Sequence, residues 1–174
     1  MPERIRVVFV CLGNICRSPV AEAVMRHRVR ERGVEARFDL SSAGLGSWHA
    51  GSPPDERSRA VVQRHRIEMT SRARVIDEED LSRAHWIICM DESNRRQLLR
   101  RGAAPERVRL LRSFHAEAES TEVDDPYEHG PEAFERMFRE IRAAIDPLID
   151  AILAGGAGPR AGGSARAAGG ALGD

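Results

Sequence analysis

Two consecutive stretches decide the reading of this chain: Ile5-Arg6-Val7-Val8-Phe9-Val10-Cys11, then Leu12-Gly13-Asn14-Ile15-Cys16-Arg17-Ser18-Pro19. The first is a nearly continuous β-branched apolar run, which predicts a strand buried on both faces. The second is a short loop with one Gly. Pro19 falls where a first helical turn tolerates it, and Ser18 is the expected N-cap. The helix carries Val20, Ala23, Val24, His27 and Val29 at helical spacing and should stop at Gly33.

Outward from there, strands and helices alternate. Ala36 to Ser42 predicts a second strand, and Ala43 to Pro54 a Gly/Ser/Pro-rich loop holding Trp48. Asp55-Glu56 opens a helix that ends near His65. Asp77-Glu78-Glu79-Asp80 is an acidic helix start, which suits the positive end of the helix dipole. His85 to Met90 predicts a third strand, and Asp91 caps a helix running to Arg101. Arg107 to Leu111 is a short fourth strand. Phe114 to Gly130 is an acidic loop of 17 residues, long enough to imply a function. A last helix starts at Pro131 with the apolar stripe Phe134, Met137, Phe138, Ile141, Ile145, Leu148, Ile149 and Ile152. Pro147 should kink it. The alternation implies a single α/β domain with a central four-stranded, mostly parallel sheet flanked by helices. Ligands then bind beyond the carboxyl ends of the strands, which points to a phosphate-binding loop after the first one.

Composition narrows the function. The 174 residues hold 27 basic and 27 acidic side chains, and every basic one is Arg. The last 20 residues contain eight Gly and six Ala, so residues 155–174 are expected to be a disordered tail and residues 1–154 the folded domain. Without Arg160, Arg166 and Asp174, residues 1–154 carry 25 basic and 26 acidic groups. No large positive field attracts nucleic acid. There is no transmembrane run and no signal-peptide pattern. Three Cys suit a reducing compartment better than a disulfide framework. The absence of Lys excludes Walker-type nucleotide hydrolases and Schiff-base enzymes.

The chemistry concentrates between Cys11 and Ser18. A Cys at a strand end, then an Arg and a hydroxyl at a helix start, suit an oxyanion. Backbone N–H groups curl inward and the helix N-terminus adds a fixed positive end. Arg17 can grip two phosphate oxygens with its planar fork. The same surroundings stabilise a thiolate and make Cys11 a nucleophile. A phosphate monoester also needs a proton for its leaving oxygen. Val123-Asp124-Asp125-Pro126-Tyr127 supplies candidates, and spacing alone leaves Asp124 and Asp125 in competition.

These residues, with Ala21-Glu22-Ala23, Ser42-Ala43-Gly44, Pro53-Pro54-Asp55, Cys89-Met90-Asp91-Glu92-Ser93-Asn94 and Asp125-Pro126-Tyr127, resemble the low-molecular-weight protein tyrosine phosphatases over nearly all of residues 4–152. The resemblance implies hydrolysis of phosphotyrosine in proteins, and of small aryl phosphates, through a phosphocysteine. Cys11 attacks phosphorus, and Arg17 with the loop Leu12, Gly13, Asn14, Ile15 and Cys16 holds the phosphoryl oxygens. Asp125 is the general acid and then the base. Ser18 donates to the Cys11 sulfur. Asn14 holds the strained loop through a bond with Ser42, and Trp48 and Tyr127 flank the substrate ring. Cys16 acts as a resolving thiol that forms a disulfide with an oxidised Cys11. No cofactor or metal is implied. The expected partners are phosphotyrosine-containing proteins, with neither nucleic acid nor membrane, and the chain is expected to be cytoplasmic, a monomer or weak homodimer. Glu128 and His129 stand where many relatives carry an aromatic or Gly.

Three rivals share parts of this pattern. Protein-arginine phosphatases of the family replace Ile15 with Thr. Arsenate reductases of the same fold need two further Cys, and only Cys89 lies beyond the loop. A phosphopeptide-binding module would lack Cys11 or Asp125.

Overall fold

A computed structural model describes residues 2–155. Four parallel strands form one sheet in the order β2-β1-β3-β4: β1 Ile5–Cys11, β2 Phe38–Gly44, β3 Trp86–Cys89 and β4 Val108–Leu110. The expected "mostly parallel" sheet is parallel throughout. Strand β1 is central because it is apolar on both faces. Val7 and Phe9 face α1 (Arg17–Glu31) and α5 (Pro131–Gly155), while Val8 and Val10 face the side of α4 (Glu92–Arg100). The chain adds β2 to one side of β1 and β3 to the other. The crevice created by that reversal opens at the carboxyl end of β1, and the loop beginning at Leu12 fills it.

Several boundaries differ from the sequence expectation for local physical reasons. Helix α1 starts at Arg17 with Cys16 in the N-cap position and no side-chain cap. Ser18 is not the cap, because its hydroxyl is engaged elsewhere. The chain turns out of α1 through Gly33, at φ +68°, where a left-handed backbone favours glycine. Residues Glu35–Arg37 form a turn of 3-10 helix, so β2 begins and ends two residues later than expected. Helices α2 (Glu56–Arg64) and α3 (Glu78–Arg83) are capped by Asp55 and Asp77. Pro147 lies inside α5 without ending it, forfeiting one backbone bond. Gly155, assigned to the tail from composition, closes α5. The expected disorder of the rest of the tail lies outside the described residues.

The apolar stripe of α5 is fully buried against α1, α2 and the sheet. No described helix is long and apolar enough to cross a membrane. Ile88 sits at the centre of the sheet with no exposed surface, opposite Phe9. Ile88→Ala leaves a cavity that neighbouring strands cannot close. We expect it to lower stability by about 2–5 kcal/mol, read as a lower urea midpoint with an unchanged slope.

Candidate active site

The loop after β1 is built inside out. The carbonyls of Cys11, Leu12 and Ile15 point outward and accept from the N–H groups of Leu45, Gly46 and Asp55 at 2.9–3.1 Å. Among the described residues, none of the amides of residues 13–16 donates to a backbone carbonyl. Those amides and the N-terminus of α1 form the concave, positive side of the loop. Asn14 makes this curl possible by adopting φ +57°, which Asn tolerates better than most residues. Gly44 lets β2 approach the loop. A Cβ there would stand 3.0 Å from the Gly13 carbonyl carbon and 3.1 Å from the Asn14 nitrogen.

Asn14 has different partners from those expected. Its amide nitrogen donates to Ser18 Oγ at 2.7 Å, and its oxygen accepts from the Arg74 N–H at 3.1 Å. The expected Asn14–Ser42 bond is absent, and Ser42 Oγ is buried without a partner. The reason is reach: Arg74 enters beside β2 and presents its own amide to Asn14, leaving Ser42 nothing to bind. The Asn14 amide also orients Ser18. The hydroxyl that accepts this bond lies 3.0 Å from Cys11 Sγ and 3.5 Å from the Ala43 carbonyl, and the sulfur is the nearer partner.

Arg17 is only 2% exposed, although it is charged. Its Nη1 donates to Asp91 Oδ2 at 2.7 Å and to the Val123 carbonyl at 2.8 Å, and its Nη2 lies 3.7 Å from Asp125 Oδ2. Burial opposes the charge. The Cys11 sulfur and the Asp91 and Asp125 carboxylates outweigh it and hold Arg17 above its ordinary value. Asp91 thus has two tasks. Its Oδ1 caps α4 through the Asn94 N–H, and its Oδ2 aims Arg17. Sequence reading found only the cap.

Asp125 is brought to the same place by the long acidic loop. Val123 is fully buried, and its N–H donates to the Met90 carbonyl. Asp125 Oδ1 accepts from the Tyr127 N–H at 3.1 Å. Asp124 and Asp125 both line a second cavity on the α5 side, and of the two only Asp125 also lines the cavity over Cys11.

That cavity, of about 200 Å³, is floored by Cys11, Gly13, Ile15, Cys16 and Arg17. Trp48, His49 and Tyr127 rise around its mouth with Leu12. Trp48 is 70% exposed, so as a wall it stands largely in solvent. His49 was not expected from the sequence. It lies 3.1 Å from where a Gly13 Cβ would be and 6.1 Å, ring to ring, from Tyr127. Its one sequence signal is its place after Trp48 in a turn-rich loop.

The three cysteines are all free and buried. Burial first, then the negative charges of Asp55, Cys11 and Asp125, push Cys16 up to about 12. Burial and Asp91 push Cys89 up to about 12 as well. Both are neutral thiols at ordinary pH. Among the described residues, no group of three or more His, Cys, Asp or Glu is placed to hold a metal.

Residues 6–155 match the family model for low molecular weight phosphotyrosine protein phosphatase. The chain is 41% identical over 137 residues to the low molecular weight phosphotyrosine protein phosphatase of Schizosaccharomyces pombe, covering 77% of this chain and 88% of that one. Its fold is similar to the protein tyrosine phosphatase from Entamoeba histolytica, with a TM-score of 0.83 and 33% identity over 87% of this chain and 98% of that one. It is also similar to the Drosophila arginine phosphatase, at a TM-score of 0.78 and 29% identity over 83% and 95% of the two chains. The chain therefore belongs to the low molecular weight phosphotyrosine protein phosphatases, a family of hydrolases.

Proposed function

We propose that this chain hydrolyses phosphotyrosine in proteins, and small aryl phosphates, through a phosphocysteine on Cys11. The observation that carries this reading is the convergence of Cys11, Arg17 and Asp125 in one cavity walled by Trp48, His49 and Tyr127. The Cys11 thiolate attacks phosphorus while the phosphoryl oxygens lie against the loop amides and Arg17. The S–P bond forms, the P–O bond breaks, and Asp125 delivers its proton to the departing phenol oxygen. In the second step Asp125 takes a proton from water, the water oxygen bonds phosphorus, and the S–P bond breaks. Ser18 stabilises the thiolate released there. The enzyme returns unchanged, and no metal or cofactor enters the balance.

The slot favours an aromatic ring. Ile15 is an apolar floor residue, and a planar phenol fits between the rings at the mouth better than a guanidinium, which would leave its N–H groups facing Ile15 unpaired. An arsenate relay lacks its cysteines, because Cys89 is wholly buried in β3. The partners are then proteins bearing phosphotyrosine. A reducing, cytoplasmic setting suits a site that needs a free thiol, with the chain acting as a monomer or weak homodimer. Cys16 is the resolving thiol. When a peroxide transfers an oxygen to Cys11 and leaves as water or an alcohol, the neutral sulfenic acid removes one of the negative charges holding the Cys16 proton, and attack by Cys16 forms the disulfide with loss of water.

Asp125→Ala tests the assignment. We expect kcat/KM on phenyl phosphate to fall about 10²–10³-fold, with phosphate binding retained. Hydrolysis within twofold of the unaltered protein rejects Asp125 as the acid. A phosphoarginine peptide hydrolysed faster than its phosphotyrosine counterpart rejects the substrate class.

A further inference from the structure

We infer that Arg57 is a positioning residue for the general acid, holding the Asp125 loop to the phosphate cradle. The inference rests on the reading of Asp125 as that acid. Its basis is a chain of hydrogen bonds that the catalytic steps themselves do not use. Arg57 stands in the first turn of α2, outside the cavity. Its guanidinium makes four hydrogen bonds. Nε and Nη2 fork onto the two oxygens of Asp55 at 3.1 and 3.0 Å. Nη2 also donates to the Tyr127 carbonyl at 3.0 Å, and Nη1 to the His129 carbonyl at 3.1 Å. The guanidinium carbon lies over the Phe134 ring, 4.4 Å from its centroid, and 5.6 Å from that of Tyr127. The Arg57 bonds to Asp55 outweigh burial and hold that carboxylate below its ordinary value, so the fork stays charged on both sides.

The placement of these bonds matters more than their number. Asp125 lies between two backbone carbonyls that are each held by an arginine. Arg17 holds Val123 on one side, and Arg57 holds Tyr127 on the other. The Tyr127 residue gripped through its carbonyl is the one whose N–H binds Asp125 Oδ1. Arg57 therefore reaches the acid in two bonds. Asp55, which orients Arg57, also donates its own N–H to the Ile15 carbonyl of the phosphate loop at 2.9 Å. The path Ile15–Asp55–Arg57–Tyr127–Asp125 joins cradle and acid loop, and its middle members, Asp55 and Arg57, do not line the cavity. A surface ion pair alone contributes little to stability. A planar fork that fixes two loop carbonyls fixes geometry, which general acid catalysis requires at hydrogen-bond precision.

The test separates positioning from folding through the leaving group. A poor leaving group needs the acid's proton, and a strongly activated one does not. Arg57→Met keeps an unbranched apolar side chain beside Phe134 and removes every side-chain donor. With phenyl phosphate, we expect its kcat/KM to fall about 10-fold, a fraction of what a general acid supplies. With 2,4-dinitrophenyl phosphate the change should stay below about twofold, because that phenolate departs unprotonated. Arg57→Lys, which can serve one carbonyl but not the fork, should fall between. In an Asp125→Ala background, Arg57→Met should add nothing on either substrate, since both act on one group. An equal loss on both substrates, or none on phenyl phosphate, overturns the role for Arg57. If Asp125→Ala itself loses no selectivity between the two leaving groups, the acid assignment fails, and the role of Arg57 fails with it.

Discussion

Cys11→Ser abolishes turnover, with kcat/KM on aryl phosphates down at least about 10⁴-fold, while inorganic phosphate still binds. A serine oxygen in this position lacks what makes serine a nucleophile elsewhere, an adjacent general base. The polar atom beside Cys11 Sγ is the Ser18 hydroxyl at 3.0 Å, which also accepts from the Asn14 amide. A neutral hydroxyl is too weak a base to take the serine proton. The anion cradle is untouched, because Arg17 is aimed by Asp91 and Val123 and not by Cys11. Calorimetry with inorganic phosphate should show affinity equal to or tighter than that of the unaltered protein, since one negative charge facing the anion is removed. Alkylation gives a second readout. At neutral pH, thiols held at about 12, as Cys16 and Cys89 are, ionise to only about 10⁻⁵. Iodoacetamide should add one label to the unaltered chain and none to Cys11→Ser, as read by mass spectrometry. Residual turnover above a hundredth of the original rejects Cys11 as the nucleophile.

The parts of this molecule that sequence reading captured are those written locally. The strand into Cys11, the loop and the helix after it are contiguous, and each carries its own signal in apolar run, Gly and Pro. Asp91 was recognised as a cap because a cap acts within three residues. Its grip on Arg17 spans 74 positions and leaves no periodic trace. The Val123 carbonyl is main chain and has no residue type to betray it. Ser18 misled for a related reason: a serine before Pro19 has the composition of a cap, but a hydroxyl makes few bonds, and here Cys11 and Asn14 claim it. Asn14 was correctly identified as the residue in left-handed backbone, but its partners were not, because Ser42 and Arg74 arrive from distant segments whose register only the folded sheet fixes. Nothing in its own stretch of sequence distinguishes Arg57 among 27 basic residues. Only the return of the acidic loop across α2 gives it carbonyls to hold.

Arg17→Lys keeps the charge and should still lose about 10³-fold in kcat/KM. The buried guanidinium divides its work. Nη1 is spent on Asp91 and Val123, anchors that set its direction, while Nη2 remains toward Asp125 and the cavity. A lysine has one nitrogen for both tasks. If it stays with Asp91, the phosphoryl oxygens lose their side-chain donor. If it turns to the phosphate, the Val123 carbonyl loses its charged partner, and the start of the acid loop loosens with it. Either way the transition state, whose charge spreads over three oxygens, loses more than the ground-state dianion does. Inorganic phosphate affinity should therefore drop only about 10-fold, well short of the loss in rate. Arg17→Ala separates charge from geometry in the other direction. It leaves Asp91 partly buried without its ion partner and should destabilise the fold by about 3–5 kcal/mol, which Asp91→Asn in the same chain should largely restore. If Arg17→Lys holds kcat/KM within 10-fold, a point charge at the helix start suffices and the planar fork is not what stabilises the transition state. The 3.7 Å approach of Nη2 to Asp125 argues for the fork, because one rigid group then positions the phosphate oxygens and stands beside the carboxyl proposed as the general acid.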